Sequence, residues 1–206
     1  EADRLAGLYS FQAEIAADHG AHVVLGLDEV GRGSIAGPLA VGGVVLPNTP
    51  LVEGLNDSKQ IAPAKREEIA AVVRDVAVAS TVQYVAPNFI DAHGMTASLI
   101  KAFTAAISAI EAQGVVPDIV LLDGNPLHLD KREVNVVKGD ARCASIAAAS
   151  VVAKVERDAL MCRLAEEYPA YDLDECKGYA SQKHIDAIKR VGLSPIHRAS
   201  FCTAFT

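Results

Sequence analysis

Apolar and polar positions along this chain separate into stretches of helical and of strand-like spacing. Between residue 2 and about residue 17, Leu5, Leu8, Tyr9, Phe11 and Ile15 make an imperfect helical stripe that stops at His19-Gly20, which predicts a packing helix. The run from Val23 to Leu27 is apolar, β-prone and closed by glycines, as in a buried strand. Leu39 to Leu46 is a second valine-rich run halted by Pro47 and Pro50, and its short connection to the first suggests an antiparallel pair. Pro63 opens a helix reaching about Val76 with Glu67, Glu68 and Arg74 outward. Val78 to Val85 reads as a third strand, Pro87 to His93 as a short helix, and Thr96 to Gln113 as a longer alanine-rich one. Whether the Pro63 helix lies off the sheet or between strands stays open. Pro117 to Leu122 and Glu133 to Val137 read as two further strands. Ser145 to Glu167 is a long helix whose small residues, among them Ala147, Ala148, Ala149 and Ala153, allow close approach to a sheet. Beyond Pro169 the pattern is less regular, with a short helix from about Ser181 to Arg190.

At 206 residues, half of them apolar, the chain can bury a sizeable core, and one main domain is expected. A net charge of −7 argues mildly against nucleic acid unless basic residues gather locally. Cys143, Cys162, Cys176 and Cys202 show no C-x-x-C pairing, so neither a thiolate metal site nor a disulfide framework is indicated, and a reducing cytoplasm is the expected location. No apolar run approaches the roughly 20 residues that span a bilayer, and the N-terminus has no signal-peptide pattern, so no membrane association is expected. The sequence starts at Glu1 rather than at methionine, which suggests trimming.

Chemistry concentrates first in VVLGLDEVGRGSIAGP, residues 23–38. Asp28 and Glu29 fall near a strand end, where successive side chains take opposite faces. Gly31 and Gly33 permit positive φ and a close ligand approach, presenting Arg32 between two bare amides. Alone, this stretch reads equally well as a turn after a strand. Two later strand ends also carry acids, Asp123 in Asp123-Gly124-Asn125 and Asp140 in Lys138-Gly139-Asp140. Strand ends of an open α/β sheet gather in one crevice. Carboxylates about 5 Å apart repel by roughly 3 kcal/mol per pair at an effective dielectric near 20. Two divalent cations resolve that conflict, and all-oxygen donors favour Mg²⁺ or Mn²⁺ over Zn²⁺. Paired ions clamp a phosphodiester, so a metal-dependent nuclease follows. By residue type alone, Asn56-Asp57-Ser58-Lys59 favours a turn over a ligand site. Tyr168, Tyr171 and Tyr179 near Lys177 suit nucleic-acid stacking, although each is individually more often a packing residue. His184 and His197 lack the spacing of a zinc site.

LDEVGRGSIAGPL, NDSK, LLDGN, VVKGDARCASIAAASVVAKVERD, KGYASQKH and HRASF resemble, in order, the successive motifs of bacterial ribonuclease HII, and the resemblance covers nearly the whole chain. It implies an α/β, ribonuclease H-like fold: a mixed five-stranded sheet flanked by helices, plus a small C-terminal helical portion. It implies one catalytic domain over 1–206, with about 168–206 as a substrate-contacting extension. The implied activity is hydrolysis of the RNA strand of RNA/DNA hybrids and cleavage 5′ to single ribonucleotides in duplex DNA, leaving 3′-hydroxyl and 5′-phosphate ends. Asp28, Glu29, Asp123 and Asp140 match the acidic metal-binding positions, implying Mg²⁺ or Mn²⁺ with two ions in catalysis. Gly31, Arg32 and Gly33 match the motif that reads the ribose, and Tyr179 matches the tyrosine that packs on the sugar beyond the junction. Lys59, Ser145, Ser150 and Lys154 match positions that hold phosphates or support the metal shell. A monomer without an obligate protein partner is expected. Ala180-Ser181-Gln182 departs from the family's usual glycine or proline followed by Thr-Lys, which puts the adjacent phosphate contact in question. Asp158, four residues after Lys154, reads as a helix-surface ion pair. A basic groove could draw on Arg32, Lys59, Lys154, Lys177 and Lys183.

Three other readings compete. Ribonuclease HIII resembles the chain in fold, but its usual first motif differs at Val30 and Arg32 and it carries an extra N-terminal domain. A non-catalytic Mg²⁺- or Ca²⁺-binding module would use the same acids, yet no EF-hand spacing occurs. A structural α/β domain would tolerate Asp123→Asn.

Overall fold

The structure, a computed structural model, describes residues 2–206. After an N-terminal helix α1 (Ala2–Asp18), strands β1 (Val24–Val30) and β2 (Leu39–Val45) form the expected antiparallel pair. Helix α2 (Pro63–Val76) leaves the sheet, and β3 (Ala79–Val85) returns antiparallel to β2. Helix α3 (Pro87–Glu111) then leads to β4 (Ile119–Asp123) and β5 (Glu133–Val136), which add in parallel on the far side of β1. The strand order is β3-β2-β1-β4-β5, the mixed five-stranded sheet that the sequence resemblance implies. Helices α4 (Ala144–Glu167), α5 (Leu173–Cys176) and α6 (Gln182–Val191) complete the chain.

Strand periodicity divides β1 between two layers. Leu25 and Leu27 join Leu39, Val41 and Val45 against Phe103, Ile107 and Ile110 of α3. On the other face α4 lies directly against β1 and β2, with Leu5, Leu8, Ile69 and Val73 of α1 and α2 closing the layer. The approach of α4 is unusually close. A Cβ at Gly26 would stand 2.2 Å from the carbonyl carbon of Ser145, and one at Gly42 would stand 2.3 Å from the Ala149 oxygen. Buried Ala147, Ala148, Ala149 and Ala153 on the helix make room for the strands in turn.

The two helices expected between residues 87 and 113 run into one another, broken only by non-helical backbone at Gly94 (φ 79°, ψ 170°). Past α4 the irregular tail folds over the loop that follows β1. Ile35 and Ala36 of that loop are buried with Met161, Tyr171, Leu173, Ile188 and Cys202, and Ala36 pairs with His197 in an isolated β-bridge.

Neither His184 nor His197 is free to bind a metal. Nδ1 of His197 accepts from the Ser194 amide at 3.0 Å, so its proton sits on Nε2 and is donated to Nε2 of His184, 3.0 Å away. Nδ1 of His184 donates in turn to the Tyr179 carbonyl at 2.9 Å. All four cysteines are free thiols, and no described helix is long and apolar enough to cross a membrane.

Candidate active site

The parallel pairing of β1 with β4 brings the first two acids to the third. Leu27 of β1 stands beside Leu122 of β4, so the next residues, Asp28 within β1 and Asp123 at the end of β4, come side by side. Asp28 has the parity of Gly26 and faces α4, whereas Glu29 has the parity of Leu25 and Leu27. Both nevertheless line one cavity of about 510 Å³, together with Asp123, Gly31, Arg32, Gly33, Ser58, Lys59, Ser150, Lys154 and Tyr179. Asp140 flanks the cavity from the turn after β5, its carboxylate 3.3 Å from the Lys59 ammonium. Oδ1 of Asp123 accepts from the Gly139 amide at 2.6 Å, which fixes that turn to the end of β4.

Two hydroxyls and a turn hold the opposite wall. Asp57 caps the short 3-10 turn Ser58–Gln60 by accepting from the Lys59 amide at 2.9 Å, so this segment is the turn its residue types indicate, and Lys59 lines the cavity. The Ser58 and Ser150 hydroxyls are 2.9 Å apart. The Lys154 ammonium is 2.7 Å from Asp158, as the i,i+4 spacing predicts, and Asp158 also faces Arg66 at 3.8 Å. Buried Arg66 donates to the Ser58 and Ile61 carbonyls, both at 2.8 Å, tying α2 to this turn.

Three expectations need correction. Ser145 does not line the cavity: it is buried where α4 presses on Gly26, and its amide donates to Gln12 of α1 at 2.8 Å. Of the two glycines around Arg32, only Gly31 has positive φ (86°). A Cβ there would stand 2.2 Å from Nε of Arg157, so the missing side chain makes room for a buried guanidinium; at Gly33 a Cβ would meet nothing within 4 Å, which leaves the cavity side open. Lys177 and Lys183 do not line this cavity. Lys177 contacts Cys162 and borders a separate cavity of about 700 Å³ between α2, α4 and the tail, and Lys183 stands 3.7 Å from Asp172.

The electrostatics are those of crowded acids. Burial raises the Asp28 carboxyl well above its ordinary range, Glu29, Asp123 and Asp140 push it further, and Ser150 opposes them. Burial also raises Glu29, against the pull of Arg32 at 3.4 Å. Asp123 is raised by burial and by Asp140, against the hydrogen bond from Gly139. Burial alone would lower Lys59, but Asp57, Asp140 and Asp28 hold it above its ordinary value.

No three His, Cys, Asp or Glu side chains among the described residues form a tight cation cage. The donor set still fits a hard divalent ion: the acids offer carboxylate oxygens only, and Asp28, just 5% exposed among three like charges, gains most from added positive charge.

Sequence reasoning assigned no role to Arg157 and Arg198, both fully buried. Arg198 donates to the Gly37 carbonyl from Nε at 3.1 Å and Nη2 at 2.9 Å, and to the Arg32 carbonyl at 3.1 Å. A buried arginine that binds carbonyls has no periodic signature, and the one available sign was its place inside a motif.

The family model described as Ribonuclease HII matches residues 25–204. Ribonuclease HII of Ruminiclostridium cellulolyticum is 38% identical over 206 residues, all of this chain and 79% of that protein. Among solved structures, the ribonuclease H2 from Pyrococcus horikoshii OT3 superposes with a TM-score of 0.74 at 26% identity, covering 89% of this chain and 97% of that one. Bst-RNase HIII in complex with Mn²⁺ superposes at 0.67 over 92% of this chain and 70% of that one, and at 17% identity it shows shared fold only. By sequence and by fold, the chain belongs to the ribonuclease HII family, metal-dependent endoribonucleases that hydrolyse the RNA strand of RNA/DNA hybrids.

Proposed function

We propose that this protein hydrolyses the RNA strand of RNA/DNA hybrids and also cuts duplex DNA 5′ to a single embedded ribonucleotide, leaving 3′-hydroxyl and 5′-phosphate ends. The observation that carries this reading is one cavity shared by three acids, the Gly31–Gly33 loop and Tyr179. Asp28, Glu29, Asp123 and Asp140 would hold divalent ions, Mg²⁺ or Mn²⁺ and two during turnover, whose chemistry is to activate the attacking water and stabilise the leaving oxygen. Mn²⁺ is present in the structure of Bst-RNase HIII, a protein of the same fold.

The protein's own groups divide the remaining work. Gly31, Arg32 and Gly33 address the 2′-hydroxyl, the group that separates RNA from DNA, and open space at Gly33 lets the main chain approach it. The half-exposed Tyr179 ring packs on the sugar past the junction, where an apolar contact tolerates deoxyribose better than an added hydroxyl. Lys59 and Lys154 contact phosphates at the cavity wall, while Ser150 supports Asp28. Residues from about 168 to 206 act as the substrate-contacting extension of a single catalytic domain.

The test is a panel of duplexes, one with a single ribonucleotide, one all DNA and one RNA/DNA hybrid, each with Mg²⁺, Mn²⁺ or EDTA. Cleavage of the first and third with a metal, and of none in EDTA, is expected. An intact single-ribonucleotide duplex under both metals would refute the embedded-ribonucleotide reading.

A further inference from the structure

The loop that follows β1 and the segment carrying Tyr179 are distant in sequence, yet one buried side chain joins them. Arg157, on α4, is fully buried. Its Nε donates to the Pro38 carbonyl at 2.9 Å, and its Nη2 to the Ser34 hydroxyl at 2.9 Å and the Ala36 carbonyl at 3.2 Å. Its Nη1 reaches across to the Lys177 carbonyl at 2.9 Å. Two residues on, the Tyr179 ring centroid is 5.7 Å from the guanidinium carbon. The segments also bond directly, the Ile35 and Ala36 amides donating to the Gly178 carbonyl at 2.9 and 3.1 Å. Both sides are shaped for this contact: a Cβ at Gly31 would overlap Arg157, and one at Gly178 would stand 2.3 Å from the Ala36 oxygen.

Neither Arg157 nor Arg198 forms an ion pair among the described residues, so hydrogen bonds to main-chain and hydroxyl oxygens offset the cost of burying these charges. Well-packed apolar side chains would fill such space at a lower desolvation cost. What the guanidinium adds is a rigid planar fork that satisfies several acceptors at once, which lysine cannot reproduce.

We infer that Arg157 is a positioning residue that locks the Gly31–Pro38 loop to the Tyr179 segment, so that the contacts to the ribose and to the following deoxyribose stay in fixed register. The inference rests on the reading of Gly31–Gly33 and Tyr179 proposed above. Loss of the lock degrades selection of the RNA-to-DNA junction more than hydrolysis itself, and it does so through Tyr179.

The test compares cleavage of a single-ribonucleotide duplex with that of a uniform RNA/DNA hybrid for Arg157→Lys, Tyr179→Ala and the double variant, at a temperature where each is folded. Arg157→Lys is expected to lower the junction-to-hybrid ratio by about tenfold or more, the scale on which small misplacements act. In the Tyr179→Ala background the same change should alter the ratio by less than about twofold, since acting through one shared residue is non-additive. Equal loss on both substrates, or an effect that multiplies with that of Tyr179→Ala, overturns the positioning role. Should Arg157→Lys fail to fold, Ser34→Ala removes one of its acceptors: a smaller fall in the ratio, with faster amide exchange at Ile35 and Ala36, supports the lock, and an unchanged ratio overturns it. An unchanged ratio in Tyr179→Ala alone refutes the reading of the ring and the lock with it. An unchanged ratio in Arg157→Lys beside a lowered one in Tyr179→Ala refutes only the lock.

Discussion

The ammonium of Lys59 stands 3.3 Å from the carboxylate of Asp140 and 3.7 Å from that of Asp57, which makes it a cation of the protein's own at the rim of the acidic crevice. A divalent ion on the acids and the Lys59 charge repel each other, while an incoming phosphate attracts both.

Replacing Lys59 with methionine therefore has two effects of opposite sign. The half-saturating Mg²⁺ concentration falls and KM for the nucleic acid rises. The Lys59 side chain is 76% exposed, and exposed pairs contribute roughly 0.2–1 kcal/mol, so the shift in Mg²⁺ requirement stays within about fivefold. Steady-state kinetics across a Mg²⁺ series measures both quantities. A rise in the Mg²⁺ requirement would contradict the placement of Lys59 among the acids proposed to hold the metal.

The paired histidines set an acid limit on the C-terminal portion. Burial, with His184 close by, brings His197 down from 6.5 to about 4, and burial lowers His184 as well. Because the folded pKa lies below the unfolded one, this stability is complete above pH 6.5 and is lost as the pH falls toward 4. The loss is on the order of 2 kcal/mol. Asp28, Glu29 and Asp123, raised by burial, act in the opposite sense, since their protonation favours the folded state on acidification. Urea unfolding of the wild type and His197→Gln at several pH values isolates the pair: the variant is expected to lose less stability between pH 7 and pH 5. Parallel pH profiles would show that the pair carries no such linkage.

Two glycines distinguish folding from function. Gly26→Ala would drive a methyl group to 2.2 Å from α4 main chain, and neither strand nor helix can yield without losing its packing. A loss above about 3 kcal/mol is expected by urea unfolding. Gly33→Ala meets nothing within 4 Å and needs no positive φ, so stability changes by less than about 1 kcal/mol while cleavage falls, because the added methyl occupies the approach to the main chain. Equal stability losses in the two variants would contradict this division.

Much of this architecture was legible because local signals agreed. Valine-rich runs bounded by prolines gave β2, Pro63 at its first position gave α2, and the alanines of α4 announced close packing before the matching Gly26 and Gly42 could be recognised. The acids were legible as strand-end residues. Their meeting followed from the rule that strand ends of an open sheet gather in one crevice, but the pairing that achieves it, β4 parallel beside β1, is a long-range choice that no local pattern encodes. The lock on the glycine loop was hidden for a related reason. Arg157 resembles any outward charge on a helix until the tail folds over it, and Ser145 resembles a ligand-facing residue until α4 settles on Gly26. His184 and His197, thirteen residues apart, had no spacing that foretold their shared proton.

The central claim is that the Asp28 crevice hydrolyses the phosphodiester 5′ to a ribonucleotide. The most direct measurement maps the cut at single-nucleotide resolution in a duplex with one ribonucleotide, for the wild type and for Asp28→Asn with Mg²⁺ or Mn²⁺. One cut on the 5′ side of the ribonucleotide by the wild type is predicted, with a loss of at least about a hundredfold in rate for the folded variant, the scale expected when a buried carboxylate charge is removed from a site that stabilises reaction charge. Cutting elsewhere in the duplex, or near-normal cutting by Asp28→Asn, would contradict the claim.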